Sequence, residues 1–137
     1  MSLEWREQLS VGNDLIDSDH KYLIEIINQA ELGLRKHDRD GLTDALDRLS
    51  QYSKVHFSRE ERLAGAVGYE QAPQLHESHA ALIEALDQVK QEVGERWTAS
   101  SADHFVALLR SWLIDHVIKE DMLMKPAIKK FSPSFEP

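Results

Sequence analysis

Leu42-Thr-Asp-Ala-Leu-Asp-Arg-Leu-Ser-Gln-Tyr-Ser-Lys-Val-His-Phe-Ser-Arg-Glu-Glu-Arg-Leu63 is the stretch on which the fold turns. Leu42, Leu46, Leu49, Tyr52, His56, Glu60 and Leu63 recur in it at intervals of three and four, the spacing of one face of an α-helix. The period predicts a helix from about Gly41 to Gly65, stopped by Gly65-Ala-Val-Gly68, where glycines can take the conformations of a helix C-terminus. Two members of the stripe are polar. His56 and Glu60 lie four residues apart, so imidazole and carboxylate share a face one turn apart. Because Leu49 and Leu63 occupy the same stripe, both polar groups are expected to point into the core rather than to form a surface pair.

The same period recurs on both sides. A first helix is predicted from an N-cap at Asp17 or Ser18 to about His37, carrying His20, Leu23, Ile24, Ile27, Ala30 and Leu34. A third starts near Pro73, which suits a first helical turn, and carries His79, Leu82, Leu86, Val89 and Val93 as far as Gly94. A fourth, with a Ser100/Asp103 capping box, carries Phe105, Leu109, Trp112, His116 and Leu123 and bends or ends at Pro126. No stretch alternates with period two. The fold class is therefore all-α: four helices joined by short connections pack as an up-down-up-down four-helix bundle. Residues 1–16 form an N-terminal arm and residues 127–137 a short tail, within one domain spanning 1–137.

Composition narrows the chemistry. The 137 residues are 42% hydrophobic and 29% charged, the balance of a soluble globular chain. Apolar runs are far shorter than a membrane span needs, and the charged start does not read as a secretory signal, so a cytoplasmic protein with no membrane partner is expected. The net charge of −8, with basic residues dispersed, argues against nucleic acid. There is no cysteine, so any metal must be held by nitrogen and oxygen. Seven histidines are the unusual component. His20, His56, His79 and His116 each fall on the apolar stripe of a different helix, where an unpartnered polar group costs about 1–3 kcal/mol. Imidazoles with an in-line carboxylate and no thiolate suit iron, manganese or zinc, and inward Glu and His in a bundle core are a recurring di-metal arrangement.

Several separated segments now agree in order: Leu9-Ser-Val-Gly12, Ile16-Asp-Ser-Asp-His-Lys21, His56-Phe-Ser-Arg-Glu-Glu61, Gly68-Tyr69, His79, and Trp112-Leu-Ile-Asp-His116 followed by Asp121. In these the chain resembles the hemerythrin family, specifically the bacterial hemerythrins, over nearly its whole length. The resemblance implies a non-haem di-iron centre with a bridging oxo or hydroxo group. In it Glu60 and Asp121 bridge the two irons, His20 and His56 hold one, and His79 and His116 help hold the other.

The sequence departs from simple expectation twice. Helical spacing favours Glu120 as the partner of His116, whereas the resemblance picks Asp121, which is rotated from His116 by about 140°. A local π-type widening, or approach to the metals from the other side, would reconcile the two, and Glu120 then reads as a solvent-facing carboxylate. The family pattern also expects a histidine where this chain has Leu75; His76, at the edge of the stripe, is the ligand expected in its place if the first turn is tight or the helix slightly rotated, and is otherwise a surface histidine that leaves that coordination position to water or open. Five imidazoles and three bridges would fill all but one position on two octahedral irons. Dioxygen would bind reversibly there, in a pocket formed by Leu23, Phe57, Trp112 and Val117, although residues of these types at helical spacing also read as ordinary core. The expected function is an oxygen carrier, store or sensor and not an enzyme; the alternative is a di-iron peroxidase, oxidase or nitric-oxide-handling protein. His37 and His104 read as solvated.

Overall fold

The computed structural model describes residues 2–137. Four long helices dominate: α1 (Asp14–Arg35), α2 (Arg39–Ala66), α3 (Ala72–Val93) and α4 (Ala99–Ser111). The chain continues from α4 through a π-helical segment (Trp112–Ile118) into α5 (Lys119–Met122), then turns into a short α6 (Lys125–Ile128). Among the described residues there is no strand. The connections at 36–38, 67–71 and 94–98 are too short for anything but antiparallel neighbours. α1 packs on α2 and α4, and α2 on α3. α1 and α2 come close near their shared turn because position 33 is glycine: a Cβ there would lie 2.9 Å from the Leu42 nitrogen.

The helix starts differ from the expected ones for identifiable reasons. α1 begins a turn early, capped by Asn13, whose side chain accepts from the Ile16 N–H at 3.1 Å. Asp17 instead accepts from the Val11 N–H at 2.9 Å and from the Ser10 hydroxyl, pinning the arm to the helix. Thr98, not Ser100, caps α4 through the Ser101 N–H at 3.1 Å, while Asp103 pairs with Arg35. The tail is ordered: the Asp14 N–H donates to Pro133 O at 2.8 Å and Asn13 Nδ2 donates to Phe135 O at 2.9 Å.

The largest departure lies in the last long helix. A straight α-helix through Phe105, Leu109 and Trp112 would next bury positions 116 and 120. The buried positions are instead Leu113, Val117, Ile118 and Asp121. The π-helical turn accommodates one additional residue and shifts the inward stripe by one position. His116 is consequently exposed, and Leu123, expected on the stripe, is 61% exposed.

The apolar interior is divided in two. The larger cluster includes Leu23, Phe57, Leu82, Val117 and Ile118. The smaller includes Ile16, Leu63, Leu75 and Met124. On each of the four long stretches buried polar residues fall between a member of one cluster and a member of the other: Asp19 and His20, Glu60, His79 and Asp121. The bundle thus holds a polar layer between two apolar slabs.

Candidate metal centre

The polar layer brings together His20 from α1, His56 and Glu60 from α2, and Asp121 from α5, each buried, with one donor atom apiece lying within 4.8 Å of the others. His20 Nε2 lies 2.7 Å from Asp121 Oδ2 and 3.4 Å from Glu60 Oε1. His56 Nε2 lies against Glu60 Oε1 and 3.5 Å from Asp121 Oδ2. His79, from α3, approaches the opposite side of the same carboxylate: its Nε2 is 3.2 Å from Glu60 Oε2. Glu60 therefore stands between two groups of imidazoles, with one oxygen toward each.

The donor set has the character of a cation site. His56 Nε2, His79 Nε2, both Glu60 oxygens and Asp121 Oδ1 are buried without a hydrogen-bond partner. Such groups are costly to bury unless something else satisfies them. Imidazole nitrogen and carboxylate oxygen without sulfur fit iron, manganese or zinc.

Two supporting carboxylates complete the layer, and the sequence did not reveal their role. Asp19 accepts from His56 Nδ1 at 2.9 Å, from the Tyr52 hydroxyl at 2.6 Å and from Arg59 at 2.6 Å. Glu61 accepts from His79 Nδ1 at 3.2 Å and also from the His76 ring. In both histidines Nδ1 thus carries the proton, leaving Nε2 as the lone-pair donor toward the centre. Asp19 and Glu61 each adjoin a ligand in the chain, but their partners lie on other helices or turns, which periodicity along one helix cannot show.

Other expected site residues lie elsewhere. The His76 side chain is 75% exposed and pairs with Glu61, because the residue that faces inward at that level is Leu75, packed in the smaller apolar cluster. His116 is turned out by the π-helical segment. Glu120, expected to face solvent, is half-buried: its Oε2 accepts from the Ser78 hydroxyl at 2.6 Å and its Oε1 is buried without a partner. Leu23, Phe57, Trp112 and Val117 all belong to the larger core cluster. The Phe57 ring stacks on His79 at 4.0 Å between centroids, and Trp112 Nε1 donates to Leu82 O at 2.9 Å. His37 reaches the Trp97 carbonyl at 3.1 Å and stacks on its ring.

The groups at the centre perturb one another. Burial and the neighbouring Glu60 charge push the Asp121 carboxyl up to about 7. Burial alone would raise Glu60 too, but the charge of His56 first, and then the adjoining Asp121 and His20, hold it well below the usual range. Burial would lower His20, His56 and His79, yet the surrounding carboxylates raise all three. In the metal-free protein, groups with raised folded values (Asp121 from 3.8, the histidines from 6.5) give stability that disappears as pH rises through those values. Glu60, lowered from 4.5, gives stability that disappears in acid. Metal-free protein should accordingly be most stable between about pH 5 and 6 and weaken toward pH 8, by about 1.4 kcal/mol per pH unit for each proton released. Urea unfolding across that range measures it; a flat or rising profile would contradict the geometry.

Asp19→Asn should lower metal affinity by about 10- to 100-fold, the usual loss when a partner that orients a ligating histidine is removed. Competition with a chelator, set beside unfolding of the metal-free variant, separates this from a loss of fold.

The family model of the hemerythrin HHE cation binding domain matches residues 11–128. A bacteriohemerythrin of Stenotrophomonas maltophilia is 25% identical over 129 residues, covering 93% of this chain and 82% of its own. One from Pseudomonas aeruginosa is 27% identical over 121 residues, covering 87% and 76%. A hemerythrin-like protein of Naegleria gruberi is 25% identical over 121 residues, covering 88% and 89%.

Proposed function

The chain belongs to the hemerythrin HHE cation-binding family, and from that premise we propose that it is a non-haem di-iron protein that binds dioxygen reversibly as a carrier, store or sensor, without catalytic turnover. The observation that carries the proposal is the placement of Glu60, whose Oε1 faces His20 and His56 while its Oε2 faces His79. A carboxylate so placed suits two ions rather than one. His20, His56 and Asp121 Oδ2 would hold the first with Glu60 Oε1, and His79 and Asp121 Oδ1 the second with Glu60 Oε2.

When bound, a ferrous pair supplies the two electrons on which reversible dioxygen capture draws. The protein supplies the rest. Asp19 and Glu61 hold His56 and His79 in the tautomer that offers Nε2. Phe57, Leu23 and Val117 on one side and Ile16, Leu63 and Met124 on the other supply apolar surface that would keep out the water and protons that promote loss of the reduced state. No helix among the described residues is long and apolar enough to cross a membrane, and a cytoplasmic setting is part of the same proposal.

The test is anaerobic reconstitution with ferrous ion, followed by admission of oxygen. About two irons per chain and a visible band that appears with oxygen and fades on its removal are expected. One iron per chain, or no oxygen-dependent band, would overturn the reading. A second reading, a di-iron redox enzyme, is favoured by one observation: with Leu75 buried, and His76 and His116 outside the layer, the second ion has His79 as its one imidazole. Sustained peroxide consumption by the iron-loaded protein would select it.

A further inference from the structure

The two halves of the centre are unequal. The first ion would meet four protein donors: His20 Nε2, His56 Nε2, Glu60 Oε1 and Asp121 Oδ2. On the second side lie His79 Nε2, with its side chain 4% exposed and no hydrogen-bond partner, Glu60 Oε2, and the buried, unpartnered Asp121 Oδ1. Charge is unequal as well. A first divalent ion neutralises Glu60 and Asp121, so a second must enter a buried layer with no negative charge left among those donors.

One further carboxylate lies beside this side of the layer, next in the chain to Asp121 and bonded to the residue before His79. Glu120 lines a cavity of about 70 Å³ together with Leu75 and Tyr69. Leu75 occupies the position at which an inward side chain of α3 would reach the second ion, one helical turn before His79. Glu120 Oε2 is held by the hydroxyl of Ser78, the residue preceding His79, and Glu120 Oε1 is buried with no partner. The π-helical turn that carries Asp121 inward leaves its neighbour Glu120 at the edge of the layer on the α3 side.

We infer that Glu120 serves the second ion, its Oε1 supplying the donor and the negative charge that Leu75 cannot, and that the centre therefore loads its two ions stepwise. The inference rests on the two-ion reading. It predicts a tight first ion and a weaker, Glu120-dependent second one.

Anaerobic titration with Mn(II) and with Fe(II) against a competing chelator tests it without reference to oxygen chemistry. The native protein should take up two ions with separable affinities. Glu120→Gln, which retains an acceptor for Ser78, should leave the first affinity within about twofold and weaken the second by about 10- to 100-fold. Adding Leu75→His to Glu120→Gln should restore the second ion by placing an imidazole one turn from His79. Ser78→Ala, which removes only the hydrogen bond aiming Glu120, should weaken the second ion by a smaller factor and provides the test if Glu120→Gln folds poorly by circular dichroism. Two ions in the native protein with second-ion affinity unchanged in Glu120→Gln would overturn the inference alone. Uptake of a single ion by native protein would overturn the two-ion reading with it.

Discussion

Glu60→Ala is expected to lose nearly all bound iron and, in the metal-free state at pH 7, to be destabilised by about 3–5 kcal/mol, the range for removing one partner of a buried charged pair. The two losses have different origins. Glu60 is fully buried and its two oxygens face the two imidazole groups, so its removal takes a donor from each ion at once. Without metal, the same carboxylate offsets the charge of His56 and helps raise His20 and His79. Its removal strips His79 Nε2 of its neighbouring carboxylate and leaves Asp121 as the remaining acceptor beside His20 and His56. Iron analysis of reconstituted protein and urea unfolding of metal-free protein measure the two effects separately. Retention of both irons with an unchanged spectrum would show that Glu60 does not bridge.

The sequence made the bundle legible because the first three long helices repeat their apolar positions for about six turns or more, and periodicity over that length averages out local exceptions. His20, His56, Glu60 and His79 were legible for the same reason: each lies on a regular α-helix, in line with leucines and isoleucines. Legibility ended where the helix stopped being regular. Spacing by 3.6 residues places His116 inward and leaves Asp121 off the stripe; the π-helical turn, one of the two ways of reconciling that spacing with the resemblance, shifts the register by one and turns His116 out. The supporting shell was hidden for another reason. Asp19 reaches His56 across two helices, and from the sequence it is one more charged residue in a charged first turn. Leu75 is legible as a departure that leaves His76 either a ligand or a surface residue, and packing decides between the two: the inward position is filled by Leu75, and His76 lies at the surface with Glu61.

That register shift can be tested directly. Asp121→Ala should abolish oxygen-dependent absorption and the stabilisation that bound iron confers, because Asp121 is 1% exposed and its Oδ2 lies 2.7 Å from His20 Nε2 in the four-donor group. Ligand-linked stabilisation grows with the logarithm of ion concentration over Kd, so a lost donor appears as a metal-dependent rise in Tm that no longer occurs. The metal-free variant should also lose part of the weakening from pH 6 to pH 8, since the carboxyl that burial and Glu60 push up to about 7 is gone. His116→Ala provides the contrast. Its side chain is exposed, so iron content and spectrum should be unchanged and stability should move by no more than about 0.5 kcal/mol, as for surface substitutions in general. A straight helix makes the opposite forecast, with His116 and Glu120 inward and Asp121 dispensable. If His116→Ala removed the second ion while Asp121→Ala kept both, the π-helical turn would not set the register of the metal-bound protein. Loss of absorption in Asp121→Ala with His116→Ala intact means that one additional residue in the turn at 112–118 selects which carboxylate enters the layer.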